Sequence, residues 1–253
     1  MIKAIFFDLD DSLFDSTKLA EKARRSAIKA ILDLGLTLEY DEEKCYEILL
    51  EVIDEFGSNY SYHFDQLIKR IDGISKLYSS EIGEFLAIKG MIPPPKMIVQ
   101  AAVIAYHNIK FTEIKPFDDV IPFFNDVKKF DKNLKICIIT DGLPDKQYEK
   151  ILRLKIHKYL NDIIISDEVG VRKPNPKLYL LALERFDIKP EESIYIGDHY
   201  EKDIVPAKKI GMHTVLIHRK GKYDRKFHGK EGPDFEIDRL DQLLEIIKKL
   251  NKN

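Results

Sequence analysis

The sequence predicts an α/β fold, a doubly wound parallel sheet with an inserted α-helical cap domain, and three observations lead there. Five apolar β-like runs are rich in Ile, Val, Phe and Tyr and almost unbroken by polar residues, which fits strands covered on both faces. Helix-like segments alternate with the last four of these runs, the pattern of βαβ units. The first connection stands apart: about 125 residues lie between the first two runs, where a crossover needs only about a dozen beyond its strands.

The runs are Ala4–Leu9, Leu134–Thr140, Asp162–Ser166, Ser193–Gly197 and His213–His218. Helices are expected at Asp145–Lys155, Pro176–Phe186 and Ile204–Ile210, with a short edge strand at Phe235–Ile237. A closing amphipathic helix spans Asp238–Leu250, with Leu240, Leu243, Leu244, Ile247 and Leu250 on one stripe. The long first connection reads as helices Thr17–Leu34, Asp41–Phe56, Tyr62–Ile71, Ser79–Ile88, Pro95–Phe111 and Asp118–Phe130. The last of these is the expected crossover of the core, and the others form a bundle broken at Met91–Pro95. The division is therefore residues 1–16 and 115–253 for the core and 17–114 for the cap. Inserted straight after a strand end, such a cap is expected to lie over it like a lid.

The chain has 253 residues and a net charge of −2, so nothing global advertises a nucleic-acid partner. Lys/Glu enrichment is found in hyperthermophile proteins and in biased genomes alike. Two distant cysteines, Cys45 and Cys137, form no disulfide framework, and Cys137 reads as a buried, inert thiol within a strand. A strand stands at Ile2–Phe7 with no leader before it, and no run reaches membrane-spanning length. The expectation is a cytoplasmic protein that contacts neither membrane nor nucleic acid. The apolar cap faces are compatible with a homodimer. Basic His218–Lys230 reads as a solvated loop, with an anion contact as the sharper alternative.

Four short segments carry the chemistry, each at or just beyond an apolar run: Asp8-Leu9-Asp10-Asp11-Ser12, Thr140-Asp141-Gly142, Lys173-Pro174, and Gly197-Asp198 with Asp203. Open α/β sheets place ligand sites at the carboxyl ends of their strands. An acid at a strand end is ordinarily a turn residue or cap. A second acid two residues on, Asp10, would share a side with Asp8 along an extended segment. One acid could then attack phosphorus while the other moves protons. A calcium loop does not explain Asp-x-Asp-x-Ser, because its sixth position is Leu13 and its twelfth Leu19.

Thr140 and the backbone near Gly142 could hold a phosphoryl oxygen, or simply turn the chain. Lys173 precedes Asn175, a suitable N-cap, and Pro176, a suitable first helical residue, and is otherwise a surface lysine. Asp203 has a sufficient reason as a helix N-cap, with Pro206 in the first turn. Asp198 has no such structural reason. Carboxylate oxygens from Asp8 and Asp198 would suit Mg2+.

In order and spacing these segments resemble the four motifs of the haloacid dehalogenase superfamily, and more narrowly its archaeal glyceraldehyde 3-phosphate phosphatase-like group. The resemblance covers roughly residues 1–20 and 115–220. It implies a HAD-like Rossmannoid core and a phosphatase acting on a small phosphorylated molecule through an aspartyl-phosphate. It casts Asp8 as nucleophile, Asp10 as general acid/base, and Thr140, Asp141 and Lys173 as the phosphate-binding set. Asp8, the Asp10 carbonyl and Asp198 become the magnesium site, and Asp203 supports the metal or the lysine. Ser12 stands where threonine is usual, and Asp141 where asparagine is common. Three rivals share the fold: a 2-haloacid dehalogenase, which does not need Asp10; a phosphoglucomutase-like mutase; and a non-catalytic binding protein.

Overall fold

The computed structural model describes residues 1–34, 41–71, 76, 79–219 and 232–252. Its apolar runs become β1 (Ala4–Phe7), β2 (Lys135–Thr140), β3 (Asp162–Ile165), β4 (Ser193–Gly197), β5 (His213–Ile217) and β6 (Phe235–Ile237). They pair in parallel, in the order β3-β2-β1-β4-β5-β6. Every residue of β1 and β4 is buried, as a strand covered on both faces requires. The connections run outward on one side of β1 and then on the other, so the switch point falls beside β1 and β4.

Around the sheet lie α6 (Val120–Phe130), α7 (Pro144–Arg153), α8 (Lys177–Phe186), α9 (Val205–Lys209) and α10 (Leu243–Lys252). Strand alternation sends Phe6 to one face and Phe7 to the other. Phe6 shares a buried cluster with Cys137, Ile139, Tyr195 and the α8 residues Leu178, Tyr179 and Leu183. Phe7 meets the rings of Phe123 and Phe124 edge-on, with centroids 6.0 and 5.5 Å away. Both cysteines are buried free thiols, and burial pushes the Cys45 thiol up to about 11.

The chain divides into two compact units, Met1–Thr17 with Ile114–Asn253, and Lys18–Glu113. Helix α1 (Ser16–Leu32) leads into the second unit, which also holds α2 (Glu42–Phe56), α3 (His63–Arg70), α4 (Glu81–Ile88) and α5 (Pro95–Glu113). Asp41 caps α2 by accepting from the Lys44 N–H at 2.8 Å, and Gly57, at φ 79°, ends it. Ile28, Ile31, Leu49, Leu67, Ile98 and Ala102 belong to this unit's own apolar core. Among the described residues, no helix is long and apolar enough to cross a membrane.

Several boundaries differ from expectation for local reasons. β1 stops at Phe7 because the chain turns at once: the Leu13 N–H donates to the Leu9 carbonyl, and Asp11 adopts φ 61°. The segment before α9 is a π-helical turn, Tyr200–Ile204. The last helix begins at Leu243, after a 3-10 turn at Leu240–Gln242. Most of the basic stretch 218–230 lies outside the described residues.

One buried ion pair ties the first loop to the segment after β5 and the start of α6. Arg219 donates to both oxygens of Asp119 at 2.8 and 3.0 Å and to the Ser12 carbonyl at 3.1 Å. Its guanidinium also lies 4.3 Å from the Phe117 ring centre. The two side chains are only 9% and 1% exposed. Burial pushes the Asp119 carboxyl up, but bonds from Arg219 and the Leu240 N–H outweigh it and hold the group below its usual range. Breaking such a pair from one side typically costs about 3–5 kcal/mol. Arg219→Met is therefore expected to lower the melting temperature by roughly 6–20 °C near neutral pH. A depressed carboxylate pKa stabilises above the group's unfolded pKa, and that contribution is lost as pH falls through the folded one. The gap between parent and variant should accordingly narrow in acid. Equal melting temperatures at pH 7 would show that the pair carries no stability.

Candidate active site

The loops at the carboxyl ends of β1, β2 and β4, joined by the segment after β3, place the predicted residues at one end of the sheet. Asp8 directly follows β1, and its N–H donates to the Ile196 carbonyl of β4 at 2.8 Å. Lys173 lies beyond the single helical turn Ser166–Val169, at a cis peptide with Pro174. Its Nζ donates to Asp8 Oδ1, to Asp203 Oδ1 at 2.7 Å and to the Tyr195 hydroxyl at 3.3 Å. Both Lys173 and Asp203 are nearly inaccessible, so this lysine is no surface residue. Burial works against its charge, but Asp203 and Asp8 outweigh burial and hold the ammonium well above its usual range.

Three carboxylates meet here. One oxygen each from Asp8, Asp198 and Asp203 lies within 4.8 Å of the others. Burial holds the Asp8 carboxyl well above the usual range, against the pull of Lys173, and Asp203 and Asp198 add to the rise. Asp198 is pushed up to about 7, first by burial and then by Asp203 and Asp11. The Ser12 hydroxyl donates to Asp198 Oδ1 at 3.2 Å, linking the first loop to the fourth.

Asp203 does not cap a helix. It sits within the π-helical turn, buried, with Oδ1 on Lys173 and the Tyr195 hydroxyl and Oδ2 accepting from the His199 N–H at 3.1 Å. A Cβ on Gly197 would lie 2.5 Å from the Asp203 side chain, so glycine is what lets this acid reach the lysine. The other expected cap, Asn175, makes its bond, although the helix starts one residue later than expected. α8 starts at Lys177, whose N–H donates to Asn175 Oδ1 at 3.0 Å.

Asp10 is held apart from this cluster. The chain is no longer an extended strand at Leu9, so simple alternation does not position it. Lys150 Nζ lies 2.7 and 2.8 Å from its two oxygens, and Gln147 Nε2 lies 3.2 Å from Oδ2. Thr140 Oγ1 accepts from the same Gln147 Nε2 at 2.8 Å. The Asp141 carboxylate turns to the Lys173 backbone N–H, at 3.0 Å. The Gly142 N–H donates to Ser166 Oγ at 3.0 Å.

Sequence reasoning missed Gln147, Lys150 and Tyr195. The available signal was spacing: Gln147 and Lys150 lie three apart on the helix directly after the second motif, hence on one face. It also missed that Asp11 ties down the start of α1, accepting from Ser16 Oγ and the Thr17 N–H at 2.8 Å each and from Thr17 Oγ1 at 2.6 Å.

The arrangement offers a buried acid beside a lysine, a second acid with its own partners, a hydroxyl that accepts from a glutamine, and a carboxylate cluster. The model of the haloacid dehalogenase-like hydrolase family matches residues 5–217. The chain is 44% identical over 255 residues to the glyceraldehyde 3-phosphate phosphatase of Methanopyrus kandleri and 39% identical over 253 residues to that of Methanocaldococcus jannaschii, covering all of both partners in each case. Among solved structures, it superposes on the HAD-hydrolase YfnB of Bacillus subtilis, bound to magnesium, with a TM-score of 0.62. That match is at 20% identity and covers 97% of this chain and 98% of that one, a likeness of fold alone. A match running through both arms of the sheet, together with full-length relatives, gives the lineage: the chain belongs to the haloacid dehalogenase-like hydrolase family, among members named as phosphatases.

Proposed function

We propose that the protein is a magnesium-dependent phosphatase that hydrolyses a small phosphomonoester of the sugar or triose phosphate class through an aspartyl-phosphate. The observation that carries this reading is the separation of the two acids of the first loop: Asp8 is buried on Lys173, while Asp10 is held by Lys150 and Gln147. Nucleophile and proton carrier need different surroundings. Full-length relatives named as glyceraldehyde 3-phosphate phosphatases support the substrate class.

In the first step a carboxylate oxygen of Asp8 bonds to phosphorus and the bond from phosphorus to the ester oxygen breaks. Asp10 gives its proton to that leaving oxygen, and the alcohol departs. In the second step Asp10 takes a proton from water. The water oxygen bonds to phosphorus, the acyl-phosphate bond breaks, and Asp8 is restored with inorganic phosphate released. Lys173 holds Asp8 in place throughout and sets a positive charge beside the transferring group. Thr140 offers its hydroxyl to a phosphoryl oxygen. Asp141 steadies the backbone of Lys173.

The residues fit a magnesium ion. The donor set is hard carboxylate oxygen: two buried acids, Asp8 and Asp203, pair with one lysine, and the half-buried Asp198 adds a third carboxylate within 4.8 Å. Asp8, Asp198 and the Asp10 carbonyl would hold the ion. Asp203, with both oxygens engaged by Lys173 and His199, would support the lysine. Bound there, magnesium would neutralise developing charge on the phosphoryl oxygens.

The test is phosphate release from p-nitrophenyl phosphate, triose and sugar phosphates, phosphopeptides and nucleic-acid ends, with and without magnesium. Release that requires magnesium and favours the small sugar and triose phosphates is expected. Preference for the macromolecules would overturn the substrate class, and no release from any of them would overturn the activity. Asp198→Asn is expected to raise the magnesium concentration needed for half-maximal rate, whereas an unchanged requirement would remove Asp198 from the metal set.

A further inference from the structure

Gln147 and Lys150 are polar residues of α7 that the two-step chemistry leaves without a role. They lie three residues apart, so both side chains leave the same face of the helix. Lys150 reaches both oxygens of Asp10, at 2.7 and 2.8 Å, across 140 residues of sequence. Gln147 is 2% exposed. Its Nε2 has two hydrogens for three acceptors in reach, the Asp141 carbonyl, Thr140 Oγ1 at 2.8 Å and, farthest, Asp10 Oδ2 at 3.2 Å.

Chemistry fixes which way this amide points. A backbone carbonyl only accepts, so the nitrogen end must face the Asp141 carbonyl. The opposite end bears the cost: Gln147 Oε1 is buried and has no hydrogen-bond partner among the described residues. Buried polar atoms are rarely left that way, and an exception needs a reason. The reason here is the donor end. Because Gln147 fills an acceptor position of Thr140, the single hydrogen of that hydroxyl is free to point elsewhere. Space for the amide is kept by Gly142, where a Cβ would lie 3.1 Å from Nε2 and 3.3 Å from Cδ.

We propose that Gln147 and Lys150 are positioning residues that act as one two-point holder. Lys150 fixes the direction of the Asp10 carboxylate, and Gln147 sets the Asp10 carboxylate and the Thr140 hydroxyl relative to each other. The inference rests on the reading of Asp10 as proton carrier and Thr140 as phosphate contact. One helix thereby couples the group that moves protons to the group that grips phosphate. With Gln147 donating to it, the Thr140 hydroxyl keeps its own proton for a phosphoryl oxygen.

The test is a double-mutant cycle on turnover of the preferred phosphomonoester. Lys150→Met should lower kcat by about 10–10²-fold with KM little changed, a part of the roughly 10²–10⁴-fold that acid–base catalysis contributes. Lys150→Arg, which can still donate to both oxygens, should recover most of the loss. In an Asp10→Asn background, Lys150→Met should change kcat by less than about twofold, the scatter within which independent sites add. Gln147→Leu should lower kcat and raise KM together, because the Thr140 hydroxyl then turns freely. Should the buried Gln147→Leu fail to fold, the Lys150 cycle decides alone, since Lys150 is partly exposed. Additive losses in the Asp10→Asn background, or no recovery in Lys150→Arg, overturn the proposal while leaving the phosphatase reading intact. Absence of parental turnover on every phosphomonoester defeats that reading itself, and the holder with it.

Discussion

Asp8→Asn is expected to keep its fold, to melt no lower than the parent, and to lose turnover by about 10⁴–10⁶-fold, the scale on which removing a member of a covalent catalytic unit disables other hydrolases. The loss follows from the reaction: an amide nitrogen at that position cannot form the acyl-phosphate. The unaltered stability follows from the surroundings. Lys173 keeps its bond to Asp203 at 2.7 Å and the Tyr195 hydroxyl at 3.3 Å, so no buried cation is stranded. What disappears is one of three mutually repelling acids, and burial already disfavours the charge on Asp8. Sites that store such repulsion commonly gain stability when the acid is neutralised. The measurements are single-turnover and steady-state phosphate release, together with thermal unfolding at pH 7. Turnover within tenfold of the parent would exclude Asp8 as nucleophile. A large fall in melting temperature would show that Asp8 is there to hold the fold.

The residues at strand ends were readable without coordinates. Asp8, Thr140 and Asp198 each follow an unbroken apolar run, and in a parallel sheet such runs all end on one side. The inserted unit was readable from the length of the first connection, which no simple crossover needs. Asp10 was singled out, but its placement by strand alternation was not what the chain does, because a turn containing a left-handed Asp11 intervenes. Asp203 was taken for an N-cap because an acid directly before a helix ordinarily is one. Its burial against Lys173 depends on Gly197 giving way, a contact between side chain and neighbouring strand that spacing does not encode. Gln147 and Lys150 were invisible for a related reason. On a helix a glutamine and a lysine look like solvated surface until the loop they meet, more than 130 residues away in sequence, is folded against them. Arg219 and Asp119, a hundred residues apart, escaped in the same way. Local pattern locates the strand ends. It does not show which side chains those ends bring together.

Lys173→Met should do what Asp8→Asn does not, removing activity and stability at once. Methionine matches the length of the lysine stem and fills the same buried space, so the change isolates the charge. In the parent, Lys173 offsets Asp8 and Asp203 from a position only 4% exposed. Without it the two carboxylates face each other with Asp198 nearby, and removing one partner of a buried ion pair costs about 3–5 kcal/mol. Turnover is expected to fall by at least about 10²–10³-fold, the loss seen when one preorganised donor is taken from a transition-state site. The pH dependence follows from the direction of each shift. A lysine whose folded pKa is raised stabilises fully below its unfolded pKa, and that contribution is lost only as pH rises through the folded value, far into alkali. The parent should therefore show little change from this lysine between about pH 6 and 9. In the variant, Asp8 has lost the partner that pulled its pKa down, so its folded pKa rises further. A carboxyl raised in the fold is stabilising when protonated and costly when charged, and the variant should recover stability as pH is lowered from 8 toward 5, with the parent changing less. Thermal unfolding across that range, paired with phosphate release at pH 7, reads both effects. Lost stability with turnover retained would make Lys173 a structural cation only. Parental behaviour in both assays would mean that the buried pairing of Lys173 with Asp8 and Asp203 is not what organises this site.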